Sequence, residues 1–162
     1  NTIRMFTYRQ NIDYEKQREK AMLDRADRDA LTGLFNKGAT ELRINQMLSD
    51  NPGQQFALLI LDIDNFKHVN DQYGHAIGDT VIAEFAGTMQ KSFRFGDVVG
   101  RIGGDEFIVF LRVEKRIGLE QKTQVQGKAL FRKLHADAKA PEVSASIGIA
   151  VAPETGSSFA GL

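Results

Sequence analysis

Apolar positions along the chain follow two rhythms, and each change of rhythm marks an element. Asn36 can cap a helix over Ala39 to Leu48, which stops at the breaker cluster Asn51-Pro52-Gly53. Phe56 to Ile63 is a continuous apolar run of strand length, and it predicts a central strand covered on both faces. Val81, Ile82, Phe85, Ala86, Met89 and Phe93 then recur at spacings of 1, 3, 1, 3 and 4, which predicts a helix with one apolar face. Val98 to Ile102 and Phe107 to Val113 are β-rich and flank Gly103-Gly104-Asp105-Glu106, a hairpin with glycines placed where a tight turn needs positive φ. Leu119 to Ala138 carries Val125, Leu130, Phe131 and Leu134 at helical spacing, and Val143 to Ala152 reads as a further strand. Asn65 to Asp79, polar and punctuated by glycine, reads as a loop. The order predicts an α+β fold: a central, antiparallel-rich sheet of ferredoxin-like, palm type with helices packed against it.

The first 28 residues have a different character. From Tyr14 to Arg28 more than half the positions are charged, none is Gly or Pro, and the sparse apolar residues cannot fill a core. This predicts a linker helix, with Tyr14, Ala21 and Arg28 at the heptad spacing of a coiled coil. Ile3 to Ile12 mixes β-formers with polar residues and reads as the closing strand of an upstream domain. The expected division is therefore 1–13, 14–28 and 29–162.

Charge narrows the function. Lys plus Arg and Asp plus Glu number 21 each, so nothing in the balance suggests coating of a nucleic-acid polymer or an anionic membrane. An apolar share of 42% excludes disorder as the main state, and no run approaches the roughly 20 residues needed to cross a bilayer. Without cysteine there is no disulfide, thiolate metal site or cysteine nucleophile, and the three histidines stand far apart. These features suggest a soluble, cytoplasmic domain.

Three segments carry candidate chemistry. Asp62-Ile63-Asp64 ends the apolar strand, where one carboxylate together with a backbone carbonyl offers a hard divalent cation its oxygens. Gly103-Gly104-Asp105-Glu106-Phe107 sets two carboxylates beside glycines that allow a phosphate or sugar to come close. Such a five-residue string arises by chance about once in 10,000 chains of this length. In the segment Asn65 to Asp79, Lys67 suits a phosphate, while Asp79 and Asn70 suit the hydrogen-bonding edge of guanine. The plainer reading of the last two is a helix N-cap and a turn residue.

Asp29-Ala-Leu-Thr-Gly-Leu-Phe-Asn36, Asp62-Ile-Asp-Asn-Phe-Lys-His-Val-Asn-Asp71, Tyr73-Gly-His-Ala-Ile-Gly-Asp79 and Arg101-Ile-Gly-Gly-Asp-Glu-Phe107 together resemble, in order and spacing, the signatures of the GGDEF family of diguanylate cyclases. The resemblance spans Asp29 to about Val151. It implies condensation of two GTP into cyclic di-GMP across a homodimer, with release of pyrophosphate. Asp62, the Ile63 carbonyl and Asp105 are implied to hold Mg²⁺ or Mn²⁺, two ions per site. Asn70 and Asp79 are implied to hold guanine. Lys67, the backbone at Asn65 and Phe66, and Arg101, Gly103 and Gly104 are implied to meet the substrate, with Glu106 activating the 3′-hydroxyl. Arg94 and Asp97 match the family's RxxD site for inhibition by the product. The stretch Asn11 to Lys16 is similar to the end of a PAS sensory domain running into a signalling helix. Family members continue beyond the strand near Val151 into a helix and strand whose cations contact the triphosphate, so the chain is expected to be truncated there. The alternatives are a silent domain that binds GTP or cyclic di-GMP and regulates a neighbour, and a structural dimerisation fragment.

Overall fold

The computed structural model describes residues 13–19, 22–113, 141 and 143–162. Four antiparallel strands form the sheet: β1 (Phe56–Ile63), β2 (Val98–Arg101), β3 (Glu106–Arg112) and β4 (Ala145–Ala152), in the order β2-β3-β1-β4. Among the described residues, α1 (Lys37–Asp50), α2 (Phe66–Tyr73) and α3 (His75–Ser92) accompany it. This is the α+β architecture expected from the sequence. Residues 13–19 and 22–26 are helical, as the charged linker suggested. The expected strand at 3–12 and the expected helix at 119–138 lie outside the described residues.

Alternation along β1 divides the core into two layers. Ala57, Leu59, Leu61 and Ile63 point to one face and pack with Val81, Phe85 and Met89 of α3, and with Phe107 and Val109 of β3. Phe56 and Leu58 point to the other face and meet Ile44 of α1 with Ile108 and Phe110. Phe56 stacks on Phe110 at 4.9 Å between ring centroids, and Phe85 tilts against Phe107 at 4.8 Å. Burying each such ring contributes about 1.5–3 kcal/mol. The expectation that β1 is covered on both faces holds only for its first half. On the α1 face burial stops after Leu58, and Ile60 and Asp62 are exposed.

α1 begins where Asn36 accepts a hydrogen bond from the Ala39 amide at 3.0 Å, a cap worth about 1 kcal/mol. It packs on β2 through Thr40, wholly buried, which fills the space a side chain at Gly100 would need.

The expected loop at 65–79 is instead two helices, α2 and the start of α3, broken at Gly74 with φ +84°. Phe66 and Val69, three residues apart, pack on the α3 side of the core. That pair is too short a stripe to outweigh the surrounding polar residues when the sequence is read alone. Asp79 accordingly lies inside α3 rather than capping it, and Asn70 sits in α2 rather than in a turn.

Candidate active site

One end of the sheet concentrates negative charge. Asp62 is paired with Glu106 in the β1–β3 ladder and with Ser146 in the β1–β4 ladder. Directly opposed residues share a face, so the three side chains form a row across three strands. Asp105, just before β3, is tied to the row because its carbonyl accepts the Ile63 amide at 3.2 Å. Slight desolvation of this largely exposed carboxyl, and then the charges of Asp105, Glu106 and Asp64, raise the Asp62 pKa above its ordinary value. Like charges crowded in this way gain from a bound cation.

Among the described residues no three His, Cys, Asp or Glu side chains gather closely enough to cage an ion unaided. The oxygens of Asp62 and Asp105 with the Ile63 carbonyl fit the other common arrangement, in which one or two carboxylates share Mg²⁺ with substrate phosphates.

Asp64 has a different environment. Its carboxylate accepts hydrogen bonds from the Ser144 and Ser146 hydroxyls, which hold its pKa below the usual range although burial opposes them. It anchors the start of β4 to the end of β1, a role the sequence offered no means of reading.

Positive φ does not explain the hairpin glycines. Neither Gly103 nor Gly104 lies in the left-handed region. A Cβ at Gly103 would come 2.4 Å from Glu106 Oε2, whereas one at Gly104 would meet nothing within 4 Å. A side chain at Gly103 would push aside the exposed end of Glu106, and Gly104 borders open space.

On the neighbouring helices, α2 carries Lys67 and Asn70, and α3 carries Asp79. Lys67 and Asp79 are exposed. The Asn70 side chain lies over Gly78, so close that a Cβ there would come 1.9 Å from Asn70 Oδ1. This contact brings Asn70 to the residue beside Asp79, and Asn70 Oδ1 is buried without a hydrogen-bond donor among the described residues. Asn65 enters α2 with φ +56° and no side-chain cap, and the first amides of the helix have no carbonyl within it to bond.

Arg101 is already engaged. Its Nε and Nη2 donate to the Gly104 carbonyl at 3.1 and 2.7 Å, and its Nη1 donates to both carboxylate oxygens of Asp29 at 3.1 and 3.3 Å. Asp29 and Thr32, whose hydroxyl and amide donate to the same carboxylate, stood out in the sequence only as part of the Asp29–Asn36 motif, with no role of their own. The Asp-x-x-Thr spacing before Gly33 is the signal that could have revealed their turn.

Arg94 and Asp97 close the turn after α3, with the Asp97 carboxylate accepting the Arg94 amide at 2.9 Å. They border a cavity of about 830 Å³ that is also lined by Arg28, Phe35 and Arg43 and by none of Asp62, Asp105 or Glu106. Arg28 and Arg43 each stack on the Phe35 ring, 4.1 Å from its centroid, another arrangement that sequence spacing does not show.

This combination of fold and site has known counterparts. The family model described as "Diguanylate cyclase, GGDEF domain" matches residues 26–162. The diguanylate cyclase DgcP of Pseudomonas aeruginosa is 41% identical over 99 residues, which is 60% of this chain and 14% of that protein. The chain thus spans a small part of that relative. Among solved structures, a sensory box/GGDEF family protein from Caulobacter crescentus superposes with a TM-score of 0.73 at 28% identity, over 84% of this chain and 90% of that one. The GGDEF domain of DgcB from Caulobacter crescentus, solved in complex with c-di-GMP, gives a TM-score of 0.63 at 25% identity, over 78% and 75% of the two chains. With its four motifs gathered at one end of the expected sheet, the chain belongs to the GGDEF family of diguanylate cyclases.

Proposed function

We propose that the protein carrying this chain condenses two GTP molecules into cyclic di-GMP, each domain of a homodimer holding one GTP. The observation that carries this reading is the row of Asp62 and Glu106, tied at Asp105 to Ile63, at the sheet end from which α2 departs.

Guanine would lie against Asn70 and Asp79. A carboxylate accepts from N1–H and N2–H of guanine, and adenine has neither donor. A base N–H on the buried Asn70 Oδ1 would satisfy a group whose unmet bond costs about 1–3 kcal/mol. Lys67 and the amides at Asn65 and Phe66 face the triphosphate as a point charge and a helix start. Gly103 and Gly104 let the nucleotide approach the hairpin.

Asp62, Asp105 and the Ile63 carbonyl would hold Mg²⁺ or Mn²⁺, two ions per site, which supply charge neutralisation at the triphosphate and a more acidic attacking hydroxyl. Glu106 orients the 3′-hydroxyl of the GTP on the facing domain and takes its proton. The 3′-oxygen bonds to the α-phosphorus, the bond to the β-phosphate oxygen breaks, and pyrophosphate leaves. A second, reciprocal attack closes the ring, which requires two domains face to face.

The cavity beside Arg94 and Asp97 supports inhibition by the product. Its arginines suit the two phosphates of cyclic di-GMP, and the DgcB domain in the comparison was solved with that molecule. The test is incubation of the chain, and of a longer form, with GTP and Mg²⁺, followed by chromatography for cyclic di-GMP and pyrophosphate. Product that vanishes with Asp105→Ala, and that resists inhibition in Arg94→Ala, supports the reading. GTP binding without product in both forms replaces it with a nucleotide-sensing regulatory domain.

A further inference from the structure

The end of the N-terminal helix is wired to the hairpin by a short series of hydrogen bonds. The Asn36 side chain accepts from the first turn of α1 and donates through Nδ2 to the Ala26 carbonyl, so one residue joins the two helices. The Asn36 amide donates to the Asp27 carbonyl, and the Asp29 amide to the Leu34 carbonyl, which closes the turn between them. Phe35 then lies along β2, donating to the Val99 carbonyl at 3.2 Å and accepting from the Arg101 amide at 2.8 Å. The turn is therefore attached to β2 by backbone before any side chain acts.

Arg101 continues the connection. Its guanidinium is largely buried and reaches both Asp29 and the Gly104 carbonyl. A planar trans peptide points its C=O and N–H in opposite directions. Fixing the Gly104 carbonyl on Arg101 thus fixes the Asp105 amide on the far side. The next carbonyl, that of Asp105, is held by the Ile63 amide. Both peptide groups flanking Asp105 are consequently pinned, one by β1 and one by Arg101.

We propose that Asp29 and Arg101 form a clamp that sets the position of Asp105 from the end of the N-terminal helix, making Arg101 a positioning residue rather than a phosphate ligand. A rigid planar fork matches this duty, because its donors hold a carboxylate and a carbonyl in one fixed relative geometry, which the rotating donors of an ammonium group do not impose. The clamp gives the linker a direct route to the cation-binding carboxylate, because displacing Asp29 pulls on the peptide that carries Asp105. The functional part of this proposal rests on Asp105 being a cation ligand, whereas the mechanical part does not.

The test uses the ¹⁵N-labelled chain with Asp29→Asn, Arg101→Lys and the double variant, each checked for cooperative melting. Asp29→Asn is nearly isosteric and keeps a Thr32 contact, so it decides the matter if Arg101→Lys fails to fold. The amide resonances of Gly104 and Asp105 are expected to shift in Asp29→Asn. Mn²⁺ affinity, followed by water-proton relaxation, is expected to fall about tenfold in each single variant and no further in the double. GTP affinity measured without metal should stay unchanged in both. Unmoved Gly104 and Asp105 amides in Asp29→Asn overturn the proposal. So do losses that multiply in the double variant, or a GTP affinity that falls with Arg101→Lys alone, the signature of a phosphate ligand. If the unaltered chain binds neither Mn²⁺ nor GTP, the proposed activity fails, and the amide shifts still decide the clamp.

Discussion

Two charged regions of this domain are built on opposite principles. At the junction below α1, opposite charges meet: Asp29 with Arg101, Asp27 with Arg43, Asp24 with Arg28, and two guanidinium groups over Phe35. At the end of β1, like charges meet, and the Asp62 pKa is raised. The first region resembles a fastener, and under the proposed function the second is a socket for a cation. The same residue types take opposite roles because their neighbours differ, which is why function here follows from pairing and not from composition.

The sharpest way to break the contrast is to neutralise one charge in each region. Asp62→Asn should reduce formation of cyclic di-GMP about a thousandfold, equivalent to roughly 4 kcal/mol of transition-state stabilisation, in a coupled pyrophosphate assay. The same variant should melt at or above the temperature of the unaltered chain, because repulsion is relieved. Loss of stability in Asp62→Asn would remove the distinction between socket and fastener.

Glycine substitutions probe the two regions sterically. Gly100→Ala would put a Cβ 2.0 Å from Thr40 Oγ1 and 3.0 Å from its Cβ and Cγ2, and Thr40 is buried and β-branched with nowhere to turn. A loss of about 1–3 kcal/mol is expected in denaturant unfolding. At Gly78→Ala the Cβ would meet chiefly the end of the Asn70 side chain, which can swing away, and would press on the Phe66 ring at 3.2 Å. Stability should fall by about 1 kcal/mol or less, while the preference for GTP over ATP in binding titrations collapses. Equal stability losses at the two sites would show Asn70 to be as rigidly held as Thr40.

The smallest effect concerns pH. Burial of the Asp29 carboxyl opposes its charge, but hydrogen bonds from the Thr32 hydroxyl, Arg101 and the Thr32 amide, together with the Arg101 charge, leave its pKa below the ordinary value. A depressed folded pKa means the clamp contributes fully above the unfolded value of about 3.9 and is lost as pH falls through the lower folded value. The difference in melting temperature between the unaltered chain and Asp29→Asn should thus be constant from neutrality to about pH 5 and close below about pH 4. A difference that closes near neutrality would assign the effect to another group.

Much of the fold was legible in order. The run Phe56–Ile63 appears as β1 with the expected bounds, and the Asn36 cap and both hairpin strands appear within a residue or two of their expected ends. These elements carry their own signals: an unbroken apolar run, a capping side chain, a change of period. α2 was missed because its stability comes from Phe66 and Val69 finding the α3 side of the core, which no local pattern reveals. The candidate site was legible as four short motifs, but not the occupation of Arg101 by Asp29 and Gly104. Nor was it legible that Gly103 has an ordinary φ and lies against the end of the Glu106 side chain.

By itself the sequence determined the strands, the principal helices, the acidic and glycine-rich motifs and, through their order, the family. Those features depend on residue type and near-neighbour spacing, which the chain carries before it folds. Only the tertiary structure decided that Asp62 and Glu106 share a row, that Asn70 lies on Gly78, and that Asp29 reaches Arg101. The first and last of these contacts join segments that become neighbours only when the sheet forms, and the second needs α2 to fold back on α3. What an aspartate does in this protein therefore depends on which distant side chain the fold places beside it.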